Sequence, residues 1–310
     1  MKNRYRDYNT YLKEIFGQRV QKISLDAGLG CPNRDGGISG KGCVYCDQKG
    51  SGTGAKIQRD ISIKEQLSTG IEWAKKRYGA LKYIAYFQSF TNTYAPVEIL
   101  KDLYGQALSY EGMVGLSIGT RPDCIDREKV EFINSYTDNY LVWIEYGLQS
   151  SHDTTLTAIN RGHEVKAFVD AVNITAEYGI NICAHVILGL PGETKKMMME
   201  TARFLADQPI NGVKIHSLYV TKGTQLAKMY LDEEVSCMER DEYIETLIDF
   251  LELLPPEFII QRVTGDPERD TLIAPAWTLE KTDNLNLFKR RLEERDTWQG
   301  KKHGISTAGR

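Results

Sequence analysis

Short runs of apolar, β-branched and aromatic residues recur at 20–26 (VQKISLD), 83–89 (YIAYFQS), 113–119 (MVGLSIG), 141–148 (LVWIEYGL), 180–188 (INICAHVIL) and 213–220 (VKIHSLYV), and each reads as a strand. Between them, segments 61–78, 97–110, 126–136, 164–178, 194–207 and 239–253 space their apolar residues by three and four, as a helix buried along one stripe does. Ser62 followed by Glu65, and Glu164 ahead of a Val/Phe/Val stripe, supply helix start signals. Strand alternating with helix, at a repeat of roughly thirty residues, calls for parallel pairing through right-handed crossovers. The class is therefore α/β, with the sheet either curled into a full or partial (β/α) barrel or laid out doubly wound.

In either form, ligands sit beyond the C-terminal ends of the strands. Polar clusters rich in Gly and Pro follow the six strands in turn: GLGCPNRDGG, SFTNTYAP, GTRPD, QSSHD, GLPGET and TKGT. From about residue 255 the alternation breaks into PPEFIIQRVTGDPERDTLIAPAW, a charged helix and GKKHGISTAGR. The expected organisation is an N-terminal basic segment (1–19), the barrel (20–254), and a C-terminal extension (255–310) that packs on the barrel and ends in a basic tail.

Composition narrows the class. With 310 residues, 41% of them hydrophobic, the chain fills one large core or two modest ones. It has no run of eighteen apolar residues, and it starts with MKNRYRDYNTYLKE, which argues against a membrane span or a secretory signal and for a cytoplasmic location. Six cysteines are too few for a disulfide scaffold, and three of them fall within sixteen residues, which suits thiol ligands in a reducing compartment. The net charge of −3 hides an uneven distribution: residues 1–25 carry six Lys/Arg against two Asp/Glu, residues 281–310 carry eight against four, and the middle sums to −11. Termini folded onto one face would hold a polyanion; basic tails that only solubilise are the plainer reading.

Eleven residues separate Cys31 from Cys43, and Cys43-Val-Tyr-Cys46 is a C-x-x-C pair within a loop holding Gly30, Gly36, Gly37, Gly40 and Gly42. Three thiolates are one short of a structural zinc set, but they are the number that holds a 4Fe-4S cubane with one iron open to another ligand. A zinc ion completed by Cys124, Cys183 or a histidine, and a redox disulfide between Cys43 and Cys46, are the alternatives. Cys183 and Cys237 read as small buried hydrophobes, whereas Cys124 follows GTRPD near the presumed pocket.

On these residues the chain resembles the radical S-adenosylmethionine superfamily, whose usual signature is C-x3-C-x2-C with an aromatic residue before the last Cys; Tyr45 is that aromatic here. The widened first gap is similar to the Elongator catalytic subunit group, and CPNRDGGISGKGCVYC resembles the YhcC/YtqA-type (MnmL-like) family within it. The resemblance continues through GTRPD, EYGLQS, INRGH, HVILGLPGET, TGDPERDTLIAPAW and RDTWQGKK, nearly the whole chain. It implies a partial (β/α)6 TIM-like radical SAM barrel with a C-terminal extension, a 4Fe-4S cluster on Cys31, Cys43 and Cys46, and S-adenosylmethionine as cosubstrate. One electron from the cluster would release a 5′-deoxyadenosyl radical that takes a hydrogen from the substrate.

Carried over residue by residue, the resemblance implies that Ser89 and Thr91 meet the methionine amino group, in a loop that lacks the family's common Gly-Gly-Glu. Gln149 would meet the ribose, and Arg161 would pair with the methionine carboxylate, which a planar guanidinium suits. Gly189 and Gly192 would let the adenine approach, with Ile187 as an apolar wall. Thr120, Arg121 and Asp123 would point into the barrel mouth; Asp123 also reads as a helix cap. His185 stands where relatives carry a ribose-binding acid and would touch cofactor or substrate. Glu145, amid Trp143, Ile144, Tyr146 and Leu148, either faces the lumen or pairs with a basic residue. Glu145, His185 and Asp123 are thus the catalytic candidates, while His163 and His216 read as core or loop histidines.

Arg262, Asp266, Arg269 and Trp277 match positions that cap the barrel opening or pack the tail down. Lys289, Arg290, Arg291, Arg295, Lys301 and Lys302 interleave with Phe288 and Trp298, a set suited to phosphate contacts and base stacking; Arg262 and Arg269 are further candidate nucleic-acid contacts. The resemblance implies action on transfer RNA, converting 5-carboxymethylaminomethyluridine to 5-aminomethyluridine at the wobble position. A reducing protein such as flavodoxin or ferredoxin, and a downstream methyltransferase, would be partners. Two rival readings stay open: the same cofactors acting on a small molecule or protein side chain, and a non-catalytic zinc or iron-sulfur RNA-binding module.

Overall fold

Seven strands, all parallel, form one sheet in the computed structural model, which describes residues 3–50 and 61–304. They are β1 (Val20–Leu25), β2 (Lys82–Phe87), β3 (Met113–Thr120), β4 (Leu141–Gln149), β5 (Asn181–Leu188), β6 (Gly212–Ser217) and β8 (Ile259–Arg262), lying side by side in chain order. Helices α2 (Ile63–Tyr78), α3 (Val97–Leu108), α4 (Arg127–Asn134), α6 (Val165–Ala176), α7 (Lys195–Ala206) and α9 (Arg240–Leu253) make the crossovers. The sheet curls far enough for its two edges to touch: Lys22 Nζ on β1 donates to Gln261 Oε1 on β8 at 2.7 Å.

This is the expected α/β half-barrel, with one strand more than the six read from the sequence. The seventh strand comes from the extension, and α10 (Lys281–Glu294) then packs along α9 as one more outer helix. Ile259–Arg262 is only four residues long and follows Pro255 and Pro256, so it shows no periodicity of its own. The candidate at 213–220 divides into β6 and β7 (Val220–Thr221), and β7 pairs antiparallel with β9 (Leu272–Ala274).

The start signals act unequally. Ser62 and Glu65 form a full capping box on α2, with Ser62 N donating to Glu65 Oε2 at 3.0 Å and Glu65 N to Ser62 Oγ at 3.3 Å. Glu164 makes no side-chain cap; the Val165 amide donates instead to Asp153 Oδ1 at 2.7 Å, from α5 (Asp153–Ala158).

Alternation along the strands divides two interiors. On β4, Ile144, Tyr146 and Leu148 face the helices and join the large outer core, while Trp143 and Glu145 face the lumen. The N-terminal end of the lumen, beneath the charged floor, is apolar: Val20, Ile84, Trp143, Cys183 and Ile259 pack against Tyr8 and Leu12 of α1 (Tyr8–Phe16), which plugs that end of the barrel. Cys183 is thus the buried small hydrophobe expected. The first and last described segments meet at this closed end, where Gln299 N donates to Arg4 O at 2.9 Å and Arg4 pairs with Asp296 at 3.1 Å. Among the described residues, no helix is long and apolar enough to cross a membrane.

Candidate active site

Above the plugged floor lies an open cavity of about 1200 Å³, solvent at its mouth included, and Cys31, Cys43 and Cys46 all line it. The thiol loop is held to the INRGH segment by a backbone stitch. Val44 N donates to Ile159 O at 3.0 Å, Asn160 Nδ2 to Gly42 O at 2.6 Å, and Asn33 Nδ2 to Asn160 O at 2.7 Å. Gly42 takes the left-handed conformation (φ 71°) that this turn needs.

Donors converge on the sulfurs. Arg34 NH1 lies 3.4 Å from Cys46 Sγ, Arg161 NH1 3.5 Å and Asn33 Nδ2 3.6 Å from Cys43 Sγ. Such N–H groups stabilise thiolates and tune a cluster they hold. Among the described residues, no three His, Cys, Asp or Glu side chains converge on a single-ion site; the three thiols share the wall of one cavity.

Arg161 is 6% exposed; its NH2 donates to Gly147 O at 2.6 Å, while its Nε is buried without a partner. A side chain at Gly147 would come within 2.7 Å of that guanidinium, so the glycine is what admits it. A buried guanidinium with one N–H unanswered, beside the thiols, fits the carboxylate end of S-adenosylmethionine. Gln149 lines the same wall with a left-handed backbone (φ 78°), strain of the kind stored at working sites.

Of the other cofactor candidates, Tyr45, Thr91, Thr120, Arg121, His185 and Ile187 also line the cavity. Ser89 and Gly189 do not: Ser89 is buried in the turn after β2, where Gln88 takes the lining position, and Gly189 abuts Met238. Asp123 is corrected as well. It grips Arg121 through two bonds, of 2.9 and 2.7 Å, outside the cavity lining, and Asp126 caps α4 instead. Asp123 therefore positions Arg121, whose NH1 in turn donates to Arg161 O at 2.9 Å. Cys124 is buried outside the cavity, burial pushing its thiol up to about 12.

Glu145, fully buried, settles both readings of it at once: it faces the lumen and it is paired. Lys22 Nζ lies 2.5 Å from Oε1, and Lys214 Nζ and His185 Nε2 lie 3.1 and 2.7 Å from Oε2. Burial by itself would raise the carboxyl, but Lys214, Lys22 and the His185 bond outweigh it and hold Glu145 well below its usual range. Burial, offset by Glu145 and reinforced by Arg262, lowers Lys214 to about 8. His216 also lines the cavity, and burial with the Arg262 and Lys214 charges keeps it neutral, far below its usual value. Lys22, Lys214 and Tyr86 escaped the sequence reading. A lysine inside a strand reads as solvent-facing, and the signal was that Lys22 and Lys214 each precede an isoleucine within a barrel strand.

The basic tail departs most from expectation. Arg291 pairs with Asp241, Glu245 and Glu294, Arg295 with Glu245, Asp249 and Glu252, and Lys302 with Glu252. Trp298, Lys301 and Lys302 gather by Pro255–Phe258 at the start of β8, the plugged end, opposite the mouth. Arg291, Arg295 and Lys302 answer the acidic residues of α9 instead of forming a free phosphate-binding stripe beside the cavity. Arg290 pairs with Glu294, whereas Lys289 is exposed, as is Arg269 on the loop after β8. Trp277 packs on Tyr243 at 5.2 Å, and Asp266 pairs with Lys281 at 2.9 Å, so both pack the extension down.

A curled parallel sheet with three thiols at its mouth defines a radical S-adenosylmethionine enzyme, with a 4Fe-4S cluster and S-adenosylmethionine as its cofactors. The chain belongs to the radical SAM superfamily: residues 28–205 match that family's model, and residues 210–294 match the Radical_SAM C-terminal domain. Within it, the chain is 40% identical to the uncharacterized protein YtqA of Bacillus subtilis (strain 168), over 96% of this chain and 92% of that one. It is 36% identical to YhcC of Escherichia coli (strain K12), over 91% and 90%. A tRNA uridine(34) acetyltransferase of Dehalococcoides mccartyi is 26% identical over 49% of this chain, which spans only 33% of that enzyme. In fold, the archaeal Methanocaldococcus infernus Elp3 superposes with a TM-score of 0.65 at 19% identity, covering 90% of this chain and 64% of that one.

Proposed function

We propose that this enzyme modifies transfer RNA at the wobble uridine, converting a 5-carboxymethylaminomethyl group to 5-aminomethyl. The observation that carries the reading is the thiol-lined cavity above a cation-rich floor, on a chain that shares half its length with tRNA uridine(34) acetyltransferases. Cys31, Cys43 and Cys46 would hold the cluster, which with S-adenosylmethionine supplies a 5′-deoxyadenosyl radical. Arg161 would orient the cosubstrate by its carboxylate and Gln149 by its ribose, while the plug of Tyr8 and Leu12 keeps water from entering below. The substrate side chain would enter toward Glu145 and His185 and give up a hydrogen atom there. Among the candidate RNA contacts, Arg269 and Lys289 are exposed and in no ion pair with a described residue, and they would meet RNA phosphate. A flavodoxin- or ferredoxin-like reductant and a later methyltransferase complete the scheme.

Nucleoside mass spectrometry of transfer RNA from cells lacking the gene tests it. Accumulation of 5-carboxymethylaminomethyluridine with loss of 5-aminomethyl products is expected, and an unchanged nucleoside profile would overturn the reading.

A further inference from the structure

Lys214 lines the cavity floor, Lys22 and Arg262 lie close to it outside the lining, and one carboxylate, Glu145, pairs with the two lysines. Lys22 and Lys214 both contact Glu145, at 2.5 and 3.1 Å. Arg262 arrives there by a backbone irregularity: β6 and β8 pair as Gly212 with Ile259 and Val213 with Ile260, then Lys214 with Arg262, so β8 accommodates an extra residue. Ile259 belongs to the inner cluster with Tyr8 and Trp143, Gln261 reaches Lys22 inside the barrel, and Val263 packs in the outer core. With the bulge between them, Gln261 and Arg262 both fall on the lumen side, re-aimed as bulges beside sites commonly are. The Arg262 charge depresses the proton affinity of both His216 and Lys214, in keeping with a place beside them.

Arg262 is half-buried and makes no ion pair or hydrogen bond among the described residues. Three cations less one carboxylate leave a floor charge of +2 under a cavity whose remaining floor groups, His185 and His216, are neutral. The other cations lining the cavity are engaged: Arg121 by Asp123, Arg161 by the Cys43 sulfur, and Arg34 by the Cys46 sulfur and the Asp47 carbonyl. An uncompensated buried cation is costly, and such an excess persists where a ligand anion completes it. Glu145 and the Tyr86 hydroxyl, 2.5 Å from Lys214 Nζ, hold the ammonium in place without neutralising the floor.

We propose that Lys214, His216 and Arg262 form an anion subsite on the cavity floor that takes a carboxylate of the substrate. The inference rests on the proposed wobble-uridine reading, whose substrate side chain ends in a carboxylate, and makes that carboxylate the group by which the side chain is recognised and drawn inward.

Calorimetric titration of the cluster-loaded full chain tests it with three probes: 5-carboxymethylaminomethyluridine, its carboxamide, and N-benzylglycine. The acid is expected to bind about tenfold or more tightly than the carboxamide. Arg262→Met and Lys214→Met are each expected to erase that preference, and Arg262→Lys to restore much of it, with cluster absorbance confirming that each variant has folded. No binding by any acid, equal affinity for acid and carboxamide, or a preference that survives both methionine variants overturns the subsite. The two readings fail separately. Arg262-dependent binding of N-benzylglycine without conversion of transfer RNA keeps the subsite and removes the uridine substrate; conversion of transfer RNA with no acid preference does the reverse.

Discussion

His185 Nε2 stands 2.7 Å from Glu145 Oε2, and the bond joins a neutral imidazole donor to an ionised acceptor. Burial, reinforced by the Lys214 charge, pushes the imidazole down to about 4 from its ordinary 6.5, against the pull of Glu145 itself. The cluster is thus two lysines around one carboxylate, with histidine as a neutral orienting group.

The pH dependence of stability follows from that depressed value. Between pH 6.5 and about 4 the unfolded chain binds a proton at His185 that the folded chain does not, so stability is full above 6.5 and falls as the pH drops through this window. Glu145, held ionised in the fold, adds a further loss below its ordinary 4.5. Urea unfolding at pH 7 and pH 5 is expected to show a lower midpoint at pH 5, and His185→Gln, which keeps a donor toward Glu145, is expected to narrow the difference. Equal narrowing by a surface histidine variant, His303→Gln, would discount the assignment.

Removing the carboxylate itself leaves the lysines unanswered. Glu145→Gln is expected to destabilise the fold by about 3 kcal/mol, because breaking a buried ion pair from one side strands the other. Denaturant titration measures it. Adding Lys22→Met to this variant is expected to recover part of the loss, since the stranded charge goes with it; no recovery would show that the cost lies elsewhere.

Much of this was legible before the fold was known, and what was not has physical reasons. The six long strands turn an apolar face toward the helices, so their runs stand out, and the thiol spacing with GTRPD, GLQS and INRGH marked the upper wall. The lumen floor was hidden because its partners lie far apart in sequence: Lys22 and Lys214 are 123 and 69 positions from Glu145. Charge counting marked the tail as basic but was blind to α9, whose Asp241, Glu245, Asp249 and Glu252 lie along the face that Arg291 and Arg295 meet.

That pairing makes the tail a structural device. Arg295→Ala is expected to lower stability by about 1 kcal/mol, more at low than at high salt, because it removes the centre of a half-exposed network of three carboxylates. Its effect on transfer RNA binding is expected to be small beside that of Arg269→Ala together with Lys289→Ala. Filter binding across a salt series separates the two, since loss of a phosphate contact flattens the salt slope and loss of an internal pair does not.

Among the thiols, Cys43 receives two donors, Arg161 at 3.5 Å and Asn33 at 3.6 Å. Cys43→Ala is expected to abolish the brown cluster absorbance after anaerobic reconstitution while leaving the unfolding midpoint of the cluster-free chain within about 1 kcal/mol of the parent, since the change is small and the loop is stitched by backbone bonds. A variant that still formed a full cluster would remove Cys43 from the ligand set.

Arg161 separates cosubstrate binding from cluster binding. Its NH2 is spent on Gly147 O at 2.6 Å and its NH1 on the Cys43 sulfur, leaving the buried Nε without a partner. Arg161→Lys keeps the charge but loses the planar fork, so affinity for S-adenosylmethionine is expected to fall by about tenfold or more. The iron content should stay near that of the parent, because the thiols remain. Equilibrium dialysis with the cosubstrate, alongside iron and sulfide analysis, reads the two quantities independently. Full cosubstrate affinity with a normal cluster would assign the guanidinium to the thiol loop alone, as the link that holds Gly147 and Cys43 together.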